Sequence, residues 1–123
     1  MILVDSSVWI DHLRVPDEAL SASLARREVL VHPFVIGEVA LGTIRPRDAV
    51  LTSLRKLPSA TVARDADVIY LIERYRLFGR GVGYVDAHLL AAVRLTPLAV
   101  LWTRDRRLLR VAGELGLAAR LPH

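Results

Sequence analysis

The chain contains no cysteine, which excludes disulfide bonds, thiolate zinc sites and cysteine nucleophiles. This absence fits a reducing compartment, and we expect a cytoplasmic protein with no membrane association. No apolar run approaches the roughly 18 residues that span a bilayer, and the acid at position 5 argues against a secretory signal peptide. A chain of 123 residues is long enough to bury a substantial core, so we expect a single domain over residues 1–123.

Lysine is almost absent as well. Of the 17 basic residues only Lys56 is a lysine, and the others are arginines. The formal net charge is +4, and setting aside the four acids described below raises the charge of the remainder to +8. An acidic pocket in a basic surface favours polyanionic ligands such as nucleic acids. Arginine suits phosphate binding because its guanidinium is planar and bidentate, but a bias in genomic base composition explains the excess equally well.

Short β-type runs alternate with helical stretches along the chain. The predicted strands cover residues 2–4, 28–32, 60–63 and 98–102, with a further edge strand over 117–121. A helix is predicted to follow Ser6 or Ser7 and another to start at Asp17, and the later helices cover 33–42, 46–56, 64–78, 84–95 and 105–115. This alternation predicts an α/β fold in which helices cover both faces of a parallel sheet.

Four acids lie in apolar surroundings, one in each of four separate segments: Asp5, Glu38, Asp86 and Asp105. Burying such a carboxylate is costly unless a cation compensates its charge. The first and last acids follow predicted strands, and parallel sheets bind ligands beyond the carboxyl ends of their strands. The other two lie near helix starts, from where their side chains lean toward the same crevice. The set predicts a shared site for a hard divalent cation in an enzyme that acts on phosphodiesters.

Several of these residues also have purely structural interpretations. Asp5 and Asp105 are placed to cap the first and last helices, and Asp86 is placed to interact with the dipole of its own helix. Ser7 and Thr103 either support the site or act as ordinary caps. The arginines around the fourth acid either hold RNA phosphates or form a solvated charged face of the last helix; they are Arg104, Arg106, Arg107 and Arg110.

Taken in order, the acidic segments resemble the PIN-domain ribonucleases, and within that family they are most similar to the VapC-type toxins of bacterial toxin–antitoxin pairs. The matching segments are Val4-Asp5-Ser6-Ser7-Val8, Gly37-Glu38, Val85-Asp86-Ala87-His88-Leu89-Leu90-Ala91-Ala92 and Thr103-Arg104-Asp105-Arg106-Arg107-Leu108. No single segment is specific, whereas the ordered set of four in a chain of this size is a strong signal.

The resemblance implies a three-layer α/β/α sandwich around a parallel sheet and an endoribonuclease that depends on Mg²⁺ or Mn²⁺. It also implies an RNA substrate cut by metal-activated water, a small cognate antitoxin and frequent homodimer formation. Carried over by position, Asp5, Glu38, Asp86 and Asp105 are the catalytic and metal-binding acids. From the coordination chemistry of Mg²⁺ we expect Asp5 and Asp86 to make the closest metal contacts. Ser7 and Thr103 match the hydroxyl positions that support the site.

Three alternatives stay open from the sequence. One is an inactive PIN-like subunit that binds RNA or serves assembly, although such proteins often lose one of the acids. A phosphatase of the haloacid-dehalogenase type needs a second aspartate two residues after the first, where Ser7 stands. A receiver domain needs a lysine near the pocket, and Lys56 lies in a predicted helix instead. RNA cleavage that depends on a chelatable metal would distinguish the metal-dependent ribonuclease from all three alternatives.

Overall fold

A parallel sheet of three strands, flanked by seven helices within residues 1–121, forms the centre of the computed structural model. The description covers residues 1–121, so Pro122 and His123, the end of the predicted single domain, lie outside it. The strands are β1 (Ile2–Val4), β2 (Val29–Leu30) and β3 (Val100–Trp102). The helices are α1 (Ser6–Arg14), α2 (Glu18–Ala25), α3 (Pro33–Ala40), α4 (Arg47–Arg55), α5 (Asp65–Arg74), α6 (Tyr84–Leu95) and α7 (Arg106–Glu114). The predicted α/β class is confirmed.

Strand β1 lies in the middle of the sheet, in the order β2-β1-β3. Ile2 is in register with Val29 on one side and with Val100 on the other. Each outer strand has one further parallel bridge on its outer side. Val31, which follows β2, pairs with Ser59, and Leu101 of β3 pairs with Ala118. Because all three strands run parallel, their carboxyl ends meet at one edge of the sheet, where ligands bind in such folds.

The predicted strand over residues 60–63 is wrong, because this part of the chain pairs with the sheet at Ser59 alone. The Ala60 N–H donates to the Val31 carbonyl at 2.9 Å. The next N–H, that of Thr61, donates instead to Thr96 Oγ1 at 2.9 Å. That side-chain acceptor directs the chain away from β2 after one bridge, so the ladder stops before residues 60–63 can form a strand.

The predicted edge strand over residues 117–121 is likewise only a bridge. The Leu101 N–H donates to the Leu117 carbonyl at 2.7 Å, and the Ala119 N–H donates to the Leu101 carbonyl at 2.8 Å. The Leu117 N–H is held by the carbonyl of Ala112 in α7 at 2.8 Å. Pairing is therefore confined to the one residue of β3 that faces this segment.

Two helix boundaries also differ from the prediction. The residue that caps α1 is Asp5, whose carboxylate accepts the Ser6 N–H, and not one of the two serines. Helix α5 ends at Arg74 and does not reach residue 78, because Arg76 has the positive φ of 53°. The predicted cap of α2 is confirmed, since the Asp17 side chain accepts the Leu20 N–H at 2.9 Å.

The core is one continuous apolar cluster around the sheet. Leu3, Val4, Leu101 and Trp102 of β1 and β3 are fully buried, as expected for parallel strands covered on both faces. Helix α6 contributes a buried run from Ala87 to Val93. Burial of both strand ends leaves Asp5 and Thr103, the residues that follow β1 and β3, against the core. No helix of residues 1–121 is long and apolar enough to cross a membrane.

Candidate active site

Asp5 stands at the junction of three elements, and its carboxylate is buried there. Its N–H donates to the Trp102 carbonyl at 2.9 Å, which continues the pairing of β1 with β3. Oδ1 accepts the Ser6 N–H at 2.8 Å and so caps α1. Oδ2 accepts hydrogen bonds from the hydroxyls of Ser7 and Thr103, both at 2.8 Å. A carboxylate that accepts three hydrogen bonds is held in one orientation.

The two hydroxyls predicted to support the site connect Asp5 to the β3–α7 segment. Thr103 Oγ1 donates to Asp5 and accepts the Asp105 N–H at 3.1 Å. Ser7 Oγ donates to Asp5 and accepts the Arg104 N–H at 3.1 Å. Each hydroxyl thus fixes both the Asp5 carboxylate and the backbone that leads to Asp105. Their positions agree with a supporting role.

Glu38 projects from α3 toward α1, where its Oε1 accepts a hydrogen bond from Ser6 Oγ at 3.3 Å. Burial raises the pKa of Glu38 above its usual value, and the negative charge of Asp5 raises it further. The Ser6 hydroxyl lowers this pKa in part, while the charge of Asp86 adds to the rise. Glu38 therefore lies within electrostatic reach of two of the other three acids.

Asp86 is the third residue of α6, and its Oδ2 accepts the Gly83 N–H at 3.1 Å. Burial raises the pKa of this carboxyl, the Gly83 N–H opposes that rise, and the charges of Asp5 and Asp105 add to it. Asp86 thus interacts with each of the other three acids. Each of the four segments that the sequence marked thus carries an acid within electrostatic reach of at least one other acid of the set.

Asp105 is the exposed member of the set. Its Oδ1 accepts the N–H groups of Arg107 at 2.9 Å and Leu108 at 3.2 Å, so Asp105 is the cap of α7. The capping interpretation is therefore correct for Asp5 and for Asp105, and it does not exclude a place in the cluster. Within residues 1–121 no group donates to three oxygens of the set: Oε2 of Glu38, Oδ1 of Asp86 and Oδ2 of Asp105.

The negative charge of the cluster has no counterion in the described part of the chain. Every ion pair within residues 1–121 involves other acids. No group of three or more acidic or histidine side chains there is arranged as a ready-made metal site. Mg²⁺ is compatible with this, since it is commonly held by one or two carboxylates and keeps several waters. The oxygen-only donor set and the uncompensated charge fit a hard divalent cation.

The arginines around Asp105 fall into two groups. Arg104 is engaged within the fold, because its Nη1 donates to Asp11 at 2.7 Å and its Nη2 to Asp17 at 2.6 Å. The other three line a cavity of about 320 Å³ together with Gly79 and Arg80; they are Arg106, Arg107 and Arg110. Arg80 is paired with Glu114 at 2.7 Å. The side chains of Arg106, Arg107 and Arg110 take part in no ion pair within residues 1–121, so this cavity carries excess positive charge.

Comparison with known proteins identifies the family of this chain. The profile of the PIN domain matches residues 2–114. The chain belongs to the PIN domain family. Two curated relatives, both named Ribonuclease VapC32, come from the CDC 1551 / Oshkosh and H37Rv strains of Mycobacterium tuberculosis. Each is 50% identical over 118 residues, which cover 96% of this chain and 95% of the relative.

Sequence reasoning missed three residues of this PIN domain site. Ser6 contacts Glu38, and Gly83 holds Asp86 through its N–H. Gly81 has a φ of 77°, and a Cβ there would lie 2.4 Å from Cδ of Arg107. The arginine side chain therefore lies across the glycine and links the start of α7 to the segment before α6. The signal available in the sequence was a pair of glycines five and three residues before Asp86.

Proposed function

We propose that this PIN domain is a VapC-type endoribonuclease, the toxin of a type II toxin–antitoxin pair, and that Asp5, Glu38, Asp86 and Asp105 are its catalytic acids. The observation that carries the proposal is a set of four acids, each within electrostatic reach of at least one other, that form no ion pair within residues 1–121. The identity of 50% to proteins named ribonucleases, over nearly the full length of both chains, supports the same activity. The alternative of an inactive PIN-like subunit gains nothing from the site, which keeps all four acids.

A divalent cation, Mg²⁺ or Mn²⁺, is the cofactor that this site fits. Glu38, Asp86 and Asp105 each have an oxygen that accepts no hydrogen bond from residues 1–121. Asp5 has three of its acceptor positions in use, and it contributes charge and the remaining position. When bound, such an ion lowers the pKa of a water molecule and offsets charge on the phosphate.

The reaction is hydrolysis of a phosphodiester by in-line attack of water. The water oxygen forms a bond to phosphorus, the bond from phosphorus to the 3′ oxygen breaks, and that oxygen takes up a proton. The products carry a 5′-phosphate and a 3′-hydroxyl. Arg106, Arg107 and Arg110 are placed to hold neighbouring phosphates, because their cavity begins at the helix that Asp105 caps. Arg104, also considered for this role, has its guanidinium occupied by Asp11 and Asp17.

The proposed partners follow from the same assignment. A toxin of this kind acts on RNA in the cytoplasm and is held inactive by a small cognate antitoxin. We also propose a homodimer, for which twelve large apolar side chains exposed in residues 1–121 offer contact area, among them Leu41 and Leu98. Analytical ultracentrifugation of the purified chain, alone and with the product of the neighbouring short reading frame, tests both partners.

Cleavage of a labelled single-stranded RNA tests the activity. We expect turnover with Mg²⁺ or Mn²⁺, none in excess EDTA, and binding without turnover in Ca²⁺. The 5′ ends of the products should accept ligation as monophosphates. Full cleavage in EDTA would reject the metal-dependent mechanism, and tight RNA binding without cleavage in Mn²⁺ would favour the RNA-binding subunit.

A further inference from the structure

An apolar cavity of about 200 Å³ lies beside the acidic cluster, and the ribonuclease assignment does not account for it. Its floor is formed by the buried or partly buried Ile72, Leu77 and Ala87. Its rim carries two aromatic rings, Phe78 and Tyr84, which are 59% and 48% exposed. Large aromatic side chains are normally well buried, so two exposed rings around one apolar cavity indicate a surface that takes up a ligand.

The cavity is joined to the active site through one residue. Gly83 lines the cavity, and its N–H donates to Oδ2 of Asp86 at 3.1 Å. Two residues earlier, Gly81 lies under the side chain of Arg107, which belongs to the arginine cavity. The segment over residues 79–84 therefore borders a cationic cavity, a carboxylate of the cluster and an apolar cavity within six residues.

Tyr84 is held in place at the cavity rim by its neighbours. Its ring meets the buried His88 edge to face, with centroids 4.7 Å apart and an interplanar angle of 88°. Its hydroxyl donates to Oδ1 of Asp65 at 3.3 Å, and the same oxygen lies 3.4 Å from Nε2 of His88. A ring fixed at its edge and its hydroxyl loses little conformational freedom when a planar ligand stacks on it.

We propose that this cavity is a nucleobase subsite, in which a base adjacent to the scissile phosphate stacks between Phe78 and Tyr84. Proteins bind single-stranded nucleic acids through such a combination of a cationic groove for the backbone and aromatic rings for the bases. An RNA chain carries a base beside each phosphate, and two residues that line the cavity adjoin Asp86: Gly83 donates to its carboxylate and Ala87 follows it in the chain. The inference rests on the proposed ribonuclease function, and it names the part of the substrate that this face recognises.

Binding of a short single-stranded RNA, followed by fluorescence anisotropy in Ca²⁺, tests the subsite, and cleavage in Mn²⁺ is recorded in parallel. One abasic nucleotide is moved along the RNA. We expect the parent protein to lose about tenfold in affinity when the abasic position reaches the cavity, within the range for loss of one base stack. Equal affinities at every position would overturn the subsite. Absence of cleavage in Mn²⁺ would instead overturn the ribonuclease function, whichever way the binding result falls.

Variants of Tyr84 test whether its aromatic ring is the group that binds the base. Tyr84→Ala should weaken binding of intact RNA about tenfold and shrink the abasic penalty to less than about twofold, while Tyr84→Phe keeps both near the parent values. Tyr70→Ala removes an aromatic side chain that is 60% exposed on α5 and should keep the full abasic penalty. If Tyr84→Ala dissociates a dimer and leaves the abasic penalty unchanged, the cavity serves a second copy of the chain and the subsite is rejected.

Discussion

Thr103 Oγ1 donates a hydrogen bond to Asp5 Oδ2 at 2.8 Å, and the two residues are 98 positions apart in the chain. Both are buried, and they directly follow the paired strands β3 and β1. The same Thr103 oxygen accepts the Asp105 N–H, so one hydroxyl orients the first acid and fixes the backbone of the fourth.

Thr103→Val keeps the shape of the side chain and removes its hydroxyl. We expect RNA cleavage to fall about 10- to 100-fold, because a ligand held by a lost partner is less well oriented. The free energy of unfolding should fall by about 1–3 kcal/mol, since a buried carboxylate and an N–H lose their partner. Thr52→Val on the exposed side of α4 is the matched control and should change neither quantity. Undiminished cleavage by Thr103→Val would show that the hydroxyl has no part in the site.

Asp86→Asn should abolish cleavage while the apo protein keeps or gains stability. Burial and two neighbouring carboxylates raise the pKa of Asp86, so its charged form is unfavourable in the fold, and neutralisation relieves that cost. The Mn²⁺-induced rise in Tm should be mostly lost, because an ion stabilises only by binding the folded state. Calorimetry with and without Mn²⁺ measures both effects.

Asp48→Asn serves as the control for this variant. Asp48 lies exposed in the first turn of α4 and makes no side-chain hydrogen bond or ion pair within residues 1–121. Asp65 would be a poor control, because it contacts Tyr84 and His88. An Asp86→Asn variant that melts below the parent and still cuts RNA would assign Asp86 a structural role.

Arg104→Ala should lower the stability of the fold, whereas Arg106→Ala should weaken RNA binding. Loss of Arg104 leaves Asp11 and Asp17 without their guanidinium partner, so we expect about 1 kcal/mol of lost stability, the upper end for partly exposed pairs. Loss of Arg106 should leave Tm unchanged and weaken RNA binding. The slope of the logarithm of the RNA binding constant against the logarithm of salt concentration should become shallower by about one. Equilibrium unfolding and RNA titrations at several salt concentrations measure the contrast. The opposite pattern would assign the phosphate contact to Arg104.

Acidification should destabilise the fold through His32. Burial, followed by the charge of His88, lowers the pKa of His32 to about 4. Because the unfolded chain takes up this proton at higher pH, stability is complete above the ordinary value of about 6.5 and is lost as pH falls toward 4. His32→Asn keeps an N-cap for α3 and should flatten the dependence of unfolding free energy on pH in that window. An unchanged slope would exclude His32 as the group responsible.

Sequence patterns located the acids because each lies next to a strong local signal, such as the end of β1 before Asp5. The same patterns failed where a distant partner decides the outcome. Thr96 directs the chain away from the sheet after Ser59, and its hydroxyl comes from 35 positions away. Arg104 finds Asp11 and Asp17 at separations of 93 and 87 residues. Local propensity carries no information about such contacts.

The junction at Asp5 has a consequence for how such a protein can change over time. Strand β1 ends at Val4 and α1 begins at Ser6, so Asp5 is the whole connection between them. An inserted or deleted residue there would shift the register of β1 or rotate α1, and length variation should be excluded from this point. The segments over residues 41–46 and 75–78 are connections of another kind, because neither contains an acid of the cluster or a glycine that contacts the site. Substrate preference can therefore diverge through those connections while the acids stay where they are.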